Sequence, residues 1–271
     1  MHKSTVLFSS LWFLTAATLA GSSRDNDALA RAQQLQLEYR QGNHEVVKPL
    51  VTTLEEAVAQ SGDNAKLWEA MGHAYMAQQG SLFKPPMDMP SLIATGERAR
   101  EAYSRSLAIE ANNPLVRASH GMSTMVVSQL KGDGPGVMTG IEEMNSAVRL
   151  APKSVAVRLT RGFTIIHLPP DMRDNDAVTE DLRFILDRSP GGRPEDVLHV
   201  LLGDVLAELG KLKEARSEYA QVTGDSAFAA EQVKQRFADL EKGTITPASI
   251  ALVRAGTGSN CAMCHAPGAD R

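Results

Sequence analysis

Apolar residues at helical spacing run through almost the whole chain, and no other feature constrains the fold as strongly. Across residues 25–243 they recur along one helix face, interrupted only by clusters of Gly, Pro, Asn and Asp. No stretch in that range alternates Val, Ile, Thr and aromatic residues for long enough to predict a strand. The sequence therefore predicts an all-α fold.

The helical pattern also repeats. One candidate unit opens with the spacing W-x2-[L/M]-G-x2-Y and continues into a second helix with Ala, Tyr and Leu at every fourth position. The residues of this unit are Trp68, Met71, Gly72, Tyr75, Ala99, Tyr103 and Leu107. A small residue where two helices cross allows close approach, and a large residue on the neighbouring helix fills the space beside it.

Three further units can be placed after the first. The last is the clearest, with Gly203 in its first helix and Ala215 and Tyr219 in its second. The two between them have Gly121 with Met144, and Gly162 with Leu182. This pattern resembles the tetratricopeptide-repeat (TPR) family over roughly residues 28–225, and the resemblance implies an α-solenoid of helix-turn-helix repeats. A generic array of helical hairpins is the alternative.

The predicted domain order follows from these assignments. Residues 1–20 are a signal peptide, 21–62 an N-terminal helical hairpin or cap, 63–242 about four TPR-like units, and 243–271 a linker and flexible tail. Prolines in residues 80–91 predict an extended insertion, which would be a binding loop, a source of a methionine ligand, or a cap on the solenoid edge. Residues 248–254 could form one short helix or lie across the last repeat.

The N-terminal segment has the features of an export signal. Lys3 precedes an apolar run of about fifteen residues, and Thr18-Leu19-Ala20 offers the small residues that a signal peptidase reads. An uncleaved anchor is the alternative. The position of a lipidated cysteine is occupied by Ser22, so we expect a free protein in the periplasm or outside the cell, with no membrane-spanning segment after cleavage.

The residues with the clearest potential for cofactor binding lie in the C-terminal tail. The two cysteines of the chain lie in Cys261-Ala262-Met263-Cys264-His265, and C-x-x-C-H is the attachment sequence of c-type haem. It implies that Cys261 and Cys264 bind one haem c covalently and that His265 is the proximal ligand of its iron. The alternatives are a redox disulfide and part of a zinc site.

The motif is followed by six residues, too few to form the helices of a cytochrome c domain. We therefore expect any sixth iron ligand to come from before the motif or from another chain. The candidates are His44, His73, His120, His167, His199, Met87 and Met89. Met122, Met125, Met138 and Met144 fall at helical spacing and are expected to fill the core.

These observations favour a binding protein over an enzyme. The net charge of −4, with basic residues dispersed among acidic ones, argues against nucleic acid as a partner. We expect an exported scaffold that binds protein partners on its concave surface and carries one haem c for electron transfer. Partners could be redox proteins or further copies of the chain, with a tail inserted into the next subunit's groove. The alternative is a non-redox interaction module whose cysteines form a disulfide.

Overall fold

The structure is a computed structural model, and it describes residues 23–40, 42–83, 86–189 and 192–245. Within these residues the chain forms eleven α-helices, one short 3-10 helix at His44–Val46, and no strand. The helices are α1 (Ser23–Arg40), α2 (Val47–Gln60), α3 (Ala65–Leu82), α4 (Met89–Ile109), α5 (Pro114–Lys131), α6 (Gly134–Leu150), α7 (Val155–Ile165), α8 (Asn175–Leu186), α9 (Arg193–Glu208), α10 (Leu212–Tyr219) and α11 (Ala227–Glu241). The all-α prediction is confirmed.

Consecutive helices pack as pairs, and the pairs pack on one another in chain order. The pairs are α1 with α2, α3 with α4, α5 with α6, α7 with α8, and α9 with α10. The connections within and between pairs are short, so neighbouring helices run antiparallel. Helix α11 packs on α9 and α10. The result is the expected solenoid of helical hairpins.

Local sequence explains where the helices begin. Several start after an Asn, Asp or Ser whose side chain accepts hydrogen bonds from the backbone N–H groups of the first turn. These N-cap residues are Asn64, Asp88, Asn113, Asp133, Ser154, Asp174 and Ser226. Four helices also carry a proline in their first turn, where its missing N–H costs nothing.

One predicted insertion is shorter than the sequence suggested. Helix α3 continues to Leu82 and α4 already begins at Met89, so the connection is 83–88, of which 84 and 85 are outside the described residues. The prediction that the prolines exclude helix throughout 80–91 was wrong for Pro90. That residue lies in the first turn of α4, where a proline is compatible with helix.

The glycines of the sequence pattern lie where the helices of a pair cross. A Cβ atom at Gly72 would lie 2.6 Å from Cδ1 of Tyr103, and one at Gly203 would lie 2.6 Å from Cδ1 of Tyr219. Both rings are buried. Gly121 likewise faces Gly140 and Met144. The expectation that a small residue and a large residue meet at the crossing is confirmed in these three pairs.

Two large apolar clusters form the core. One joins α1 to α4 with the start of α5 and includes Leu50, Leu67 and Tyr103, and the other joins α5 to α11 and includes Met144 and Leu206. Among the methionines expected in the core, Met125 and Met144 are buried and Met122 is partly buried. Met138 is 56% exposed, so its prediction was wrong: it lies on the side of α6 away from the helices that bury Met144.

Candidate functional site

The residues predicted to hold haem lie outside the described residues, since Cys261, Cys264 and His265 all follow residue 245. The structure does describe the side chains that were candidates for a further iron ligand. It also describes the surfaces on which a protein partner could bind. The candidate site in the described residues therefore consists of these possible ligand side chains and these possible partner surfaces.

His73 contacts the second helix of its own pair. It lies on α3 directly after Gly72, and its Nδ1 atom is 2.7 Å from the hydroxyl oxygen of Tyr103 on α4. Its Nε2 atom lies 3.8 Å from a carboxylate oxygen of Glu69, one turn earlier on α3. The ring is therefore held between the two helices that it helps to join.

His120 links three helices. Its Nε2 atom is 2.9 Å from the hydroxyl oxygen of Ser104 on α4, and its Nδ1 atom is 2.6 Å from a carboxylate oxygen of Glu143 on α6. Both ring nitrogens are thus engaged, and the ring fixes α5 against the helices on either side. Binding to an iron atom would first break one of these hydrogen bonds.

His199 has the same kind of environment on α9. Its Nδ1 atom lies 2.9 Å from Glu218 on α10, and its Nε2 atom lies 3.7 Å from Glu195. The hydrogen bond with Glu218 raises the pKa of His199, burial opposes that rise, and the charges of Glu218 and Glu195 add to it. A histidine held in a salt bridge between paired helices is a structural residue rather than an available ligand.

The remaining candidates lie at connections between helices. His44 is exposed, and its ring contacts the edge of Tyr39 with centroids 5.2 Å apart. His167 is half-buried in the turn between α7 and α8. Met87 and Met89, at the start of α4, are 55% and 37% exposed. Their thioethers are the accessible soft donors that the sequence analysis named.

No group of three or more His, Cys, Asp or Glu side chains in the described part of the chain comes together to hold a metal ion. The candidate histidines are distributed over different helix pairs, and each is engaged with its own neighbours.

A partly exposed apolar strip is the clearest candidate surface for a partner. It consists of Met122 and Val126 on α5 and Leu159 and Phe163 on α7, and we call it the α5–α7 strip. Each pair of residues is four positions apart and so lies on one helix face, and the two helices contact each other. All four side chains are half-buried against the core, which leaves part of each open to solvent.

Sequence analysis missed a buried ionic cluster in the α7–α8 pair. Asp181 on α8 accepts hydrogen bonds from Arg158 Nη1 at 2.8 Å and from Arg161 Nε and Nη2 at 2.7 and 2.8 Å. Its side chain is fully buried. Burial raises the pKa of Asp181, and the hydrogen bonds from Arg161 and Arg158 counteract part of that rise. Helix α8 has no tyrosine, in contrast to α4 and α10, and this was the sequence signal that different side chains lie between the helices of this pair.

An open groove of about 460 Å³ lies beside this cluster, between α6 and α8. Its lining mixes both charges, with Arg149 and Arg161 on one hand and Asp174, Asp176 and Glu180 on the other. Arg161 already donates to Asp181 and to the side-chain oxygen of Asn145. The groove therefore has no free concentration of positive charge for an anion.

None of the described helices combines the length and the apolar character that crossing a bilayer requires. In the comparisons with known proteins, no family model matches the chain and no curated protein matches it. The described residues themselves offer a solenoid of paired helices, histidines engaged within it, and a partly exposed apolar strip.

Proposed function

We propose that the protein is an exported helical-repeat scaffold that binds protein partners and carries one covalently attached haem c for electron transfer. The single observation that carries the redox part is the sequence Cys261-Ala262-Met263-Cys264-His265. Its donor set suits haem c, because two thiols can bond to the two vinyl groups and an imidazole can bind the iron. When bound, haem iron supplies transfer of one electron at a time.

The described residues support different roles for the two parts of the chain: the helical array forms the fold, and the tail would hold the haem. His120 and His199 use both ring nitrogens within the fold, and the core is filled by side chains. A haem held by Cys261, Cys264 and His265 would therefore add to a fold that is complete without it. Exposed Met87 and Met89 are the described side chains that could approach such a group as thioether donors.

The decisive experiment is expression of the full chain in a host that has haem-maturation machinery. We expect the purified protein to show the absorbance bands of covalent haem and a mass increased by one haem. The double variant Cys261→Ala, Cys264→Ala should lose both, while its far-UV circular dichroism should not change. A colourless wild-type protein would overturn the redox proposal, and a mass lower by two hydrogens would then identify the disulfide alternative.

The export part has its own test. If residues 1–20 are a signal peptide, protein recovered from the periplasm or medium should begin at Gly21. N-terminal sequencing of that material decides this directly. Recovery of the chain only in the cytoplasm with its N-terminus intact would contradict export.

The binding part rests on the α5–α7 strip. Solenoid proteins bind partners on surfaces formed by the first helices of successive units, and α5 and α7 are such helices. A photo-crosslinking residue at Phe163 should give a discrete adduct in the native host, whereas the same residue at exposed Arg149 on α6 should not. The same adducts from both positions would contradict binding at the strip.

A further inference from the structure

The turns that join the first helix of a pair to its second helix lie at one edge of the array, which we call the turn edge. The helices of a pair are antiparallel, and successive pairs have the same orientation. Lys131, at the end of α5, binds Glu97 in the first half of α4. Arg173, in the α7–α8 turn, binds Glu208 at the end of α9. The connections between pairs lie at the opposite edge.

Helix α11 runs in the same direction as α9, so its end also lies at the turn edge. Its start is next to the start of α9, because the N–H of Ser226 donates to Asp196 Oδ2 at 2.9 Å. Further along both helices, Arg236 Nη2 donates to Asp204 Oδ2 at 3.0 Å. Residues 242–245, which follow α11, are therefore on the same edge as the α9–α10 turn.

Large apolar side chains that are exposed to solvent concentrate on the turn edge. Nine such side chains occur in the described residues, with exposed fractions of 37% to 56%. Leu37 lies in the last turn of α1, and only Ile109 and Leu150 lie at the opposite edge, where α4 and α6 end. The other six belong to the turns, to the first two turns of second helices, or to the end of α11: Met87, Met89, Met138, Met172, Leu212 and Ile245. Chance would place similar numbers at the two edges, so the turn edge is the apolar one.

Exposed prolines add to the apolar character of the same edge. They lie in the turns or in the first turns of second helices: Pro86, Pro90, Pro135, Pro169 and Pro170. Side chains on a helix lean toward its N-terminus, and the N-termini of the second helices are at the turn edge. Met138 of α6 and Leu212 of α10 therefore lean toward this edge rather than away from it.

Three carboxylates of the turn edge are already engaged within the fold. Each caps a second helix by accepting a hydrogen bond from a backbone N–H of its first turn, and the positive end of the helix dipole lies beside it. They are Asp88, Asp133 and Asp174. Their negative charge is therefore partly offset. Asp171, next to Met172, is a further exposed acid.

The C-terminal part of the turn edge is basic. Leu212 and Ile245 are accompanied there by three exposed lysines, Lys211, Lys213 and Lys242. Glu241 is exposed beside them, which still leaves the local charge positive. Lysines next to exposed apolar side chains suit the interface between water and lipid, because the apolar groups enter the lipid while the ammonium groups stay at the headgroups.

The spacing of the apolar side chains favours a lipid surface over a protein partner. Protein interfaces concentrate their binding energy in a central cluster of side chains that pack together. At the turn edge the exposed side chains come from successive helix pairs, which are about 10 Å apart, so they form a row of separate contacts. A row of separate apolar contacts fits a flat, extended surface into which each side chain enters by itself.

We infer that the turn edge docks this protein on a lipid surface that contains anionic headgroups. The exposed methionines, Leu212 and Ile245 enter the interfacial region, and the lysines near α10 and α11 bind lipid phosphate groups. The inference goes beyond the proposed function, and it is independent of the haem and of the α5–α7 strip.

Vesicle flotation tests the inference on the chain that begins at Gly21, because the apolar run in residues 1–20 would itself bind lipid. All described helices follow that point. We expect this protein to float with vesicles of phosphatidylethanolamine and phosphatidylglycerol. The double variant Met138→Ser, Met172→Ser should bind these vesicles about tenfold more weakly, since two half-exposed side chains no longer leave water.

The matched control is Ile109→Ser, Leu150→Ser, which removes two side chains of similar exposure from the opposite edge. It should bind the vesicles as the unchanged protein does, and circular dichroism should show that both double variants are folded. Equal losses in the two variants would overturn the inference. So would an unchanged protein that does not float but gives one discrete protein adduct from a photo-crosslinking residue at Met138, because the edge would then bind a protein.

A charge reversal tests the lipid headgroups separately. Lys213→Glu, at the turn edge, should weaken binding to phosphatidylglycerol-containing vesicles about tenfold. Its control is Lys153→Glu, which changes an exposed lysine between α6 and α7 at the opposite edge and should leave binding unchanged. The same loss in both variants would contradict docking by the turn edge, because it would reflect only the net charge of the protein.

Discussion

In both the α3–α4 and the α7–α8 pair a glycine of the first helix faces the second helix, but different side chains lie against it. In the α3–α4 pair the buried ring of Tyr103 lies against Gly72. In the α7–α8 pair, Gly162 faces Asp181, and a Cβ atom at this glycine would lie 3.2 Å from Asp181 Cβ. One crossing is filled by an aromatic ring and the other by a carboxylate with two arginines. Helix pairs of one array can therefore be held together by different side-chain chemistry.

The α9–α10 pair uses both kinds of contact. The Tyr219 ring lies against Gly203, as in α3–α4, and its hydroxyl donates to Asp204 Oδ1 at 2.7 Å. Arg236 of α11 binds the same buried carboxylate. The aromatic residue closes the pair, and the ionic contact joins the pair to the next helix. The ionic cluster of α7–α8 is thus a variant of a contact found elsewhere in the array.

The largest effect should come from removing the acid of the α7–α8 pair. Asp181→Ala leaves Arg158 and Arg161 buried without their main partner, and we expect unfolding free energy to fall by about 3–5 kcal/mol. Chemical denaturation measures this. The control is Glu180→Ala: Glu180 also binds Arg158, but it is exposed, so its loss should cost less than about 1 kcal/mol. Similar losses in both variants would show that Asp181 is not the centre of the cluster.

Replacing the glycines that face the second helix by alanine should destabilise the α3–α4 pair more than the α7–α8 pair. This difference should be smaller than the loss caused by Asp181→Ala. In Gly72→Ala the new methyl group meets the buried, rigid Tyr103 ring, and we expect a loss of about 1–3 kcal/mol. In Gly162→Ala the contact is looser, and the helix propensity of alanine offsets it by up to about 1 kcal/mol. Thermal and denaturant unfolding of the two variants provide the comparison. Equal destabilisation would mean that the Tyr103 contact is no tighter than that of Asp181.

Replacing the whole ionic cluster should have less effect than removing its acid. In the triple variant Arg158→Met, Arg161→Met, Asp181→Leu, no charge is left without a partner, and we expect stability within about 1 kcal/mol of the wild type, or above it. Denaturant unfolding of the triple variant, measured in parallel with Asp181→Ala and the wild type, tests this prediction. A triple variant as unstable as Asp181→Ala would indicate that the cluster contributes packing that apolar side chains cannot replace.

The smallest effect concerns the α9–α10 pair and depends on pH. The hydrogen bond with Glu218 raises the pKa of His199 in the folded state, so this contact stabilises the fold fully below the unfolded value of about 6.5 and loses its effect as pH rises through the folded pKa. Glu218→Gln should therefore destabilise the protein most at about pH 5.5 and least at about pH 9. In an NMR titration, the His199 pKa of the variant should also fall. A stability difference that does not change with pH would contradict this account.

Sequence reasoning predicted the architecture because its signals are local. Helical periodicity, the N-cap residues and the glycines opposite Tyr103 and Tyr219 are all set by residues close in the sequence or by a regular spacing. It did not find the Asp181 cluster, because its members look like ordinary surface charges until α7 and α8 pack. It also named His120 and His199 as possible ligands, since a sequence does not show that their ring nitrogens are occupied.

The sequence by itself determined that the chain forms paired helices and that its cysteines and the histidine beside them stand together in one motif. Both are properties of neighbouring residues and of repeated spacing. Only the tertiary structure decided which charges are buried together, which histidines hold helices to one another, and which apolar residues stay partly exposed on α5, α7 and α11. These depend on contacts between residues far apart in the chain, and such contacts exist only after the helices have packed.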